Sequence, residues 1–220
     1  KYFKEVQIYR IDHYLAKEML QNILSFRFSN NLFEKNWDNT LIDKIQIRLH
    51  EKIGVEKRGG FYDHVGALSD VGQNHMLQML ALVTMDNPLS FKADAIRKER
   101  AKVLGCLEIP AKDEIKNFTF RAQYQGYQDI AGVRKNSKTE TYFKVRAFLH
   151  SKKFQEVPII LESGKRLKEQ IKEIEITFKH ETPCLCPPSG EHFINKMIIA
   201  LEPKEAIKIQ FWSKKPGHEF

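Results

Sequence analysis

The 220 residues carry 42% apolar and 29% charged side chains, an ordinary folded balance that excludes a disordered chain. A chain of this length forms one large domain or two small ones, and it buries enough surface to need neither a disulfide nor a metal. The net charge of +8 favours anionic partners (phosphorylated metabolites, nucleic acid or acidic membranes) without choosing among them. Lys and Arg are spread along the chain with no long basic block and no Arg-rich arm, so a solvated basic surface is the simpler account.

Cys106, Cys184 and Cys186 are odd in number, and the Cys184–Cys186 spacing is not that of a zinc knuckle. Reduced thiols in a cytoplasmic protein are expected, with no metal. No apolar run approaches a membrane span, and the N-terminus is no signal peptide.

In chain order, residues 12–36 read as a long helix. Leu15, Met19 and Ile23 recur every four residues, and Leu20, Leu24, Phe28 and Leu32 form a second row. Residues 44–50 switch to period two, with Ile45, Ile47 and Leu49 on one side and Lys44, Gln46 and Arg48 on the other, a half-buried strand. Arg58-Gly59-Gly60 marks a tight turn or a close backbone approach. A helix is predicted over 69–85, ended by Asn87-Pro88. A surface-lying helix is predicted over 90–104, and a short helical piece around 113–117.

After residue 118 the pattern becomes that of strands. Residues 142–150, 157–162, 174–178, 197–201 and 207–211 read as strands, with a turn at Glu202-Pro203-Lys204 and a Pro-rich loop over 182–190. Helices followed by closely connected strands predict an α+β fold, helices packed on a large, mostly antiparallel sheet. No G-x-G-x-x-G spacing occurs: Gly59-Gly60 and Gly164 are the nearest candidates.

Two segments carry candidate chemistry. In Arg10–Glu18 (RIDHYLAKE), Asp12 is a candidate N-cap. His13 and Lys17, four apart, would share a face with Tyr14 at a helix N-terminus, where backbone donors favour an anion. The alternative is a capped helix with a surface His and Lys. The 69–85 helix is apolar nearly all round except for Asp70, Gln73, Asn74, His75 and Gln78. Asp70, Asn74 and Gln78 fall at i, i+4, i+8 with His75 beside them, and such a strip needs partners or a wet cavity. His75 is either a satisfied core histidine or a general base held by a carboxylate. Glu51 and Ser163-Gly164-Lys165-Arg166 follow strands, where a carboxylate or a basic pair could meet a ligand or be a charged turn.

RIDHYLAKE resembles the glucose-6-phosphate dehydrogenase signature R-I-D-H-Y-L-G-K-E, departing only by Ala16. Residues 58–63 (RGGFYD) and 70–75 (DVGQNH) are similar to family blocks and fall in the family's order. Residues 30–37, Val157-Pro158, Gly164-Lys165 and Lys214-Lys215-Pro216-Gly217 continue the match. The resemblance implies the family's C-terminal, substrate-binding and catalytic domain over 1–220, with the N-terminal nucleotide domain missing and the C-terminal end truncated.

It further implies that His75 is the general base for the C1 hydroxyl of glucose 6-phosphate and Asp12 its orienter. His13, Tyr14 and Lys17 would hold the 6-phosphate, and Glu51, Asp70 and Lys165 the sugar hydroxyls. Hydride would pass to NADP, bound mainly by the missing domain, giving 6-phosphoglucono-lactone in the oxidative pentose phosphate route. Turnover would require that domain. A homodimer through the sheet is implied, and neither nucleic acid nor membrane. The family generally has Lys or Arg five residues after the Gly-Lys lysine, where this chain has Gln170, so either substrate affinity is weaker or Arg166 or Lys168 compensates. The alternative is a non-catalytic module for sugar-phosphate binding or dimerisation.

Overall fold

A computed structural model describes residues 2–4, 7–30, 33–180, 183, 184, 186 and 192–213. The Lys214–Gly217 match, most of the Pro-rich loop and part of the 30–37 block lie outside the described residues.

The N-terminal apolar pattern forms one helix, α1 (Glu18–Ser29), shorter than the 12–36 expected. The Asp12 carboxylate explains the late start. It accepts from the Tyr14 and Leu15 amides, and the Ala16 amide closes on the Asp12 carbonyl, so residues 13–16 form a separate turn. Lys17, with φ −67° and ψ 134°, then breaks the path before the helix begins. Asp12 therefore caps a turn rather than α1, and His13 and Lys17 are not neighbours along a helix.

Strand β1 (Ile42–His50) follows, with Ile45, Ile47 and Leu49 buried. Arg58-Gly59-Gly60 is not a turn. It opens α2 (Gly59–Ala67), and the close-approach reading holds: a Cβ on Gly59 would sit 2.4 Å from the Ala131 carbonyl oxygen. The helix predicted over 69–85 is really two kinds of helix. A π-helical stretch (Leu68–Met76) runs into α3 (Leu77–Thr84). The surface helix appears as α4 (Ala93–Leu104), with no buried residue, and the short one as α5 (Ile115–Phe118).

The remaining strands are β2 (Thr119–Ala122), β3 (Tyr142–Ala147), β4 (Ile159–Gly164), β5 (Ile171–Phe178), β6 (Lys196–Glu202) and β7 (Ala206–Gln210). Strand β2 has an exposed run that gave no alternation to read. Strand β3 stops at Ala147, short of the 150 expected; Leu149 instead bridges to Leu107. The seven strands form one sheet in the order β2-β3-β4-β1-β5-β6-β7, antiparallel except for the β1–β4 pair. This is the α+β, mostly antiparallel architecture expected.

Register sorts the side chains by face. Met197, Ile176, Ile45 and Ile159 line one row, and Ile199, Ile174, Ile47 and Leu161 the next, all buried. Leu20 and Ile23 of α1 join them in a single core with Met76, Met79 and Leu80 of the central helices. Arg27 binds α1 to α3: its guanidinium donates to the Leu82 carbonyl (3.0 Å), and the Trp37 indole donates to the Val83 carbonyl (2.8 Å). These carbonyls belong to the last turn of α3, which lacks helical partners of its own. Burial pulls the Arg27 pKa down to about 10, against the opposing charges of Glu34 and Asp86.

A second buried anchor fixes α2. Asp63 accepts from the Tyr127 hydroxyl (3.1 Å), Arg134 Nε (2.6 Å) and the Ser137 hydroxyl. Burial pushes its carboxyl up, but these donors outweigh burial and hold it well below the usual range. The RGGFYD block is thus structural, tying α2 to the 127–139 connection.

Candidate functional site

The parallel pairing of β1 and β4 sends both strands' carboxyl ends to the same edge of the sheet. His50 and Gly164 are in register, so Glu51 and Lys165 emerge side by side. Backbone bonds Glu51 N to Gly164 O (2.9 Å) and Leu167 N to Glu51 O (3.0 Å) fix the exit. The two side chains form an ion pair, with Lys165 12% and Glu51 28% exposed. The Lys165 ammonium also lies 5.7 Å from the buried Tyr62 ring. Burial raises the Tyr62 hydroxyl pKa, and the charges of Asp70 and Glu140 add to it. Asp70, half-buried, is thus within electrostatic reach of that hydroxyl.

The central helices bring His75 to the same edge. In this π-helical stretch bonds run i to i+5, so the expected α-helical row Asp70-Asn74-Gln78 is not strictly kept, and Asn74 is exposed. Two glycines permit the stretch. Gly66, at φ +74° and ψ 166°, kinks the chain, and a Cβ there would lie 2.5 Å from Glu140 Oε1. That carboxylate accepts from the Leu68 amide at the start of the stretch (3.0 Å). Gly72 lets the helix approach β3, since a Cβ would meet the Phe143 ring at 2.8 Å.

His75 is buried and its Nδ1 lies 2.8 Å from Asp12 Oδ1. An ionised carboxylate only accepts, so Nδ1 carries a proton, and in the neutral ring Nε2 is then the nitrogen with the free lone pair. The Asp12 turn that delays α1 is what aims this carboxylate. Its Oδ2 is buried with no protein partner among the described residues. Three rings close round the pair: His13 to His75 4.6 Å, Tyr14 to His75 4.6 Å and His13 to Tyr14 4.8 Å between centroids. His13 is exposed and Tyr14 is buried.

Tyr14 also neighbours a cationic pair that sequence reasoning half missed. Lys17 Nζ and Lys172 Nζ each lie 2.7 Å from a different oxygen of Glu202. They stand 5.7 and 5.9 Å from the Tyr14 centroid. Two ammoniums on one carboxylate leave a net positive centre beside a phenol. Burial raises the Tyr14 pKa despite Lys172, keeping the hydroxyl a donor. For Lys172, burial acts against the charge, but the Glu202 bond and Tyr14 overcome it and the pKa is raised.

Lys172 gives no signal in the sequence, because its aim depends on a β-bulge. Lys172 pairs with Glu202 but Glu173 with Ala200, leaving Leu201 as the extra residue. The bulge turns Glu202 to the helix side, where Lys172 shares a face with Leu49 and Ile174. The expected substitutes for Gln170 lie elsewhere: Arg166 stacks on Tyr124 (5.1 Å) and Lys168 is exposed. Every sequence-predicted site residue thus reaches one edge of the sheet: Asp12, His13, Tyr14, Lys17, Glu51, Asp70, His75 and Lys165.

Residues 24–220 match the family model described as glucose-6-phosphate dehydrogenase, C-terminal domain, and residues 1–22 match that of its NAD binding domain. Glucose-6-phosphate 1-dehydrogenase of Borreliella burgdorferi is 42% identical over 99% of this chain and 48% of its own length. The Aggregatibacter actinomycetemcomitans protein of the same name is 42% identical over 100% of the chain and 46% of its own. The chain therefore spans about half the length of these relatives.

Among solved structures, glucose-6-phosphate 1-dehydrogenase from Mycobacterium avium superposes with a TM-score of 0.89 at 34% identity, covering 98% of this chain and 48% of that one. A glucose-6-phosphate dehydrogenase in complex with its substrate glucose-6-phosphate superposes at 0.87, also 34% identical, over 98% and 45%. With a family model matching most of its length, the chain belongs to the glucose-6-phosphate dehydrogenase family.

Proposed function

We propose that this chain supplies the substrate-binding and proton-transfer half of a glucose-6-phosphate dehydrogenase. The observation that carries the reading is the Asp12–His75 pair and the Lys17–Lys172 pair gathered around one phenol ring, that of Tyr14. The 6-phosphate binds the two ammoniums, the Tyr14 hydroxyl and His13. Glu51, Asp70 and Lys165 meet the sugar hydroxyls. His75 Nε2 takes the C1 hydroxyl proton while Asp12 holds Nδ1 and stabilises the imidazolium that forms. C1 becomes the lactone carbonyl, and its hydride leaves to a nicotinamide, for which we propose NADP.

The described residues contain no Gly-rich strand–turn–helix of the kind that cradles a dinucleotide. The family support for the acceptor is the NAD-binding-domain match over residues 1–22. A cytoplasmic setting is supported by three free cysteines and by the Solanum tuberosum relative named a cytoplasmic isoform. Among the described residues, no helix is long and apolar enough to cross a membrane. A homodimer through the sheet is part of the same reading.

The test is His75→Ala in the full-length gene product. Turnover should fall at least ~10²-fold, the lower end for loss of a general base, with substrate binding retained in calorimetry. Unchanged turnover would remove His75 from the mechanism.

A further inference from the structure

The β5–β6 connection, residues 179–195, is long for a hairpin, whose loops usually take about 2–5 residues. It holds two cysteines, and two histidines flank them: His180, Cys184, Cys186 and His192. Their candidate ligand atoms all lie within 4.8 Å of one another. Cys186 Sγ is 3.4 Å from His180 Nε2 and Cys184 Sγ is 3.5 Å from His192 Nδ1. The imidazoles meet edge to face at 4.9 Å.

Bond lengths explain these spacings. A tetrahedral ion with sulfur at about 2.3 Å and nitrogen at about 2.0–2.1 Å has sulfur–nitrogen edges of about 3.5 Å. Both observed sulfur–nitrogen distances match such an edge. Two thiolates and two imidazoles also form a donor set of the softness zinc favours. We infer that His180, Cys184, Cys186 and His192 form a structural zinc site that closes the β5–β6 connection.

The site's position fits a structural role. It lies beyond Phe178 and before Lys196, whereas Lys172 and Glu202 sit at the other end of the same two strands. Six residues of strand separate the two ends by about 20 Å. Four protein ligands also leave no open position for a substrate. The ion's work is to close a long loop whose ordering would otherwise cost entropy. The sequence reading excluded a metal because it judged the Cys-x-Cys spacing alone. The four-ligand set only forms when the hairpin brings residues 180 and 192 together.

The test uses the full-length gene product, dialysed against metal-free buffer and analysed by plasma mass spectrometry. About one zinc per chain is expected, lost in the Cys184→Ser/Cys186→Ser variant. Cobalt substitution should give the intense visible bands of a tetrahedral thiolate site, absent from that variant. Should the double variant fail to fold, His192→Asn provides the second test, with weakened cobalt bands expected. In the unaltered protein, chelation should lower the unfolding midpoint, and zinc but not magnesium should restore it.

Three results would overturn the inference. One is a protein without zinc that gives no cobalt spectrum. Another is a Cys184–Cys186 disulfide in the isolated protein. The third is zinc retained undiminished by the cysteine variant, which would place it elsewhere, as at Asp12, His13 and His75, the other compact donor group among the described residues. None of these outcomes depends on dehydrogenase activity.

Discussion

Lys17 and Lys172 share one carboxylate, and that arrangement separates their effects from those of His75. Each ammonium is held 2.7 Å from Glu202, so neither must be ordered anew when an anion arrives. A charged hydrogen bond contributes about 1.5–3 kcal/mol, or roughly 10- to 150-fold in affinity. Lys17→Met and Lys172→Met should therefore each raise KM for glucose 6-phosphate by about that factor, with kcat changed far less. The double variant should be non-additive, because both lysines act through Glu202. A Lys172→Met enzyme with unaltered KM would reduce Lys172 to a partner of Glu202. The signature segment revealed Asp12, His13, Tyr14 and Lys17 because they lie within a few residues of one another. Lys172 and Glu202 lie far along the chain, and no local pattern aims them at Tyr14.

The helical element that carries His75 was legible as helix but not as π-helix. Sequence periodicity near 3.6 placed Asp70, Asn74 and Gln78 in one row, a row that the wider π-helical turn does not keep. Gly66 is the cause that the apolar pattern could not reveal. Its backbone occupies a region open essentially to glycine alone, and the space of its missing Cβ holds the Glu140 carboxylate that caps the stretch. Gly66→Ala should cost about 1–3 kcal/mol of stability, read as a lower urea midpoint with unchanged slope. It should also lower kcat, since a shift of about 1 Å at a catalytic group can cost about 10²-fold. Full stability and full activity in this variant would show that neither the kink nor the Glu140 cap positions His75. Strands β1 and β4 contrast with this helix. The alternation of β1 was plain in the sequence and β4 was read as a strand two residues early, whereas their parallel pairing, which sets Glu51 beside Lys165, required the fold.

At the scale of the whole molecule, the described helices cover one face of the sheet and leave the other uncovered by helices. Its register rows run Ile198, Glu175, Gln46, Ile160, Arg146 and Ala200, Glu173, Arg48, Glu162, Lys144, Phe120. The charges are largely satisfied within the chain: Arg48 joins Glu173 and Glu175, Lys196 joins Glu175, and Lys144 joins Glu162. What remains for a partner is mainly apolar, namely half-buried Ile160 and Ile198 and Phe120, which is 62% exposed, with the exposed Arg146 beside them. Self-neutralised charges with apolar residues between them suit a second copy of the same face, provided contact reaches the roughly 1,200–2,000 Å² of a stable interface. Ile160→Glu tests this pairing without attacking the fold, because Arg146 lies opposite position 160 and can accept the new charge. Sedimentation of the full-length gene product should show a dimer, and Ile160→Glu should shift it to monomer at micromolar concentration with its circular dichroism unchanged. A variant that remains dimeric would place the interface on another surface, and a monomeric unaltered protein would remove the dimer altogether.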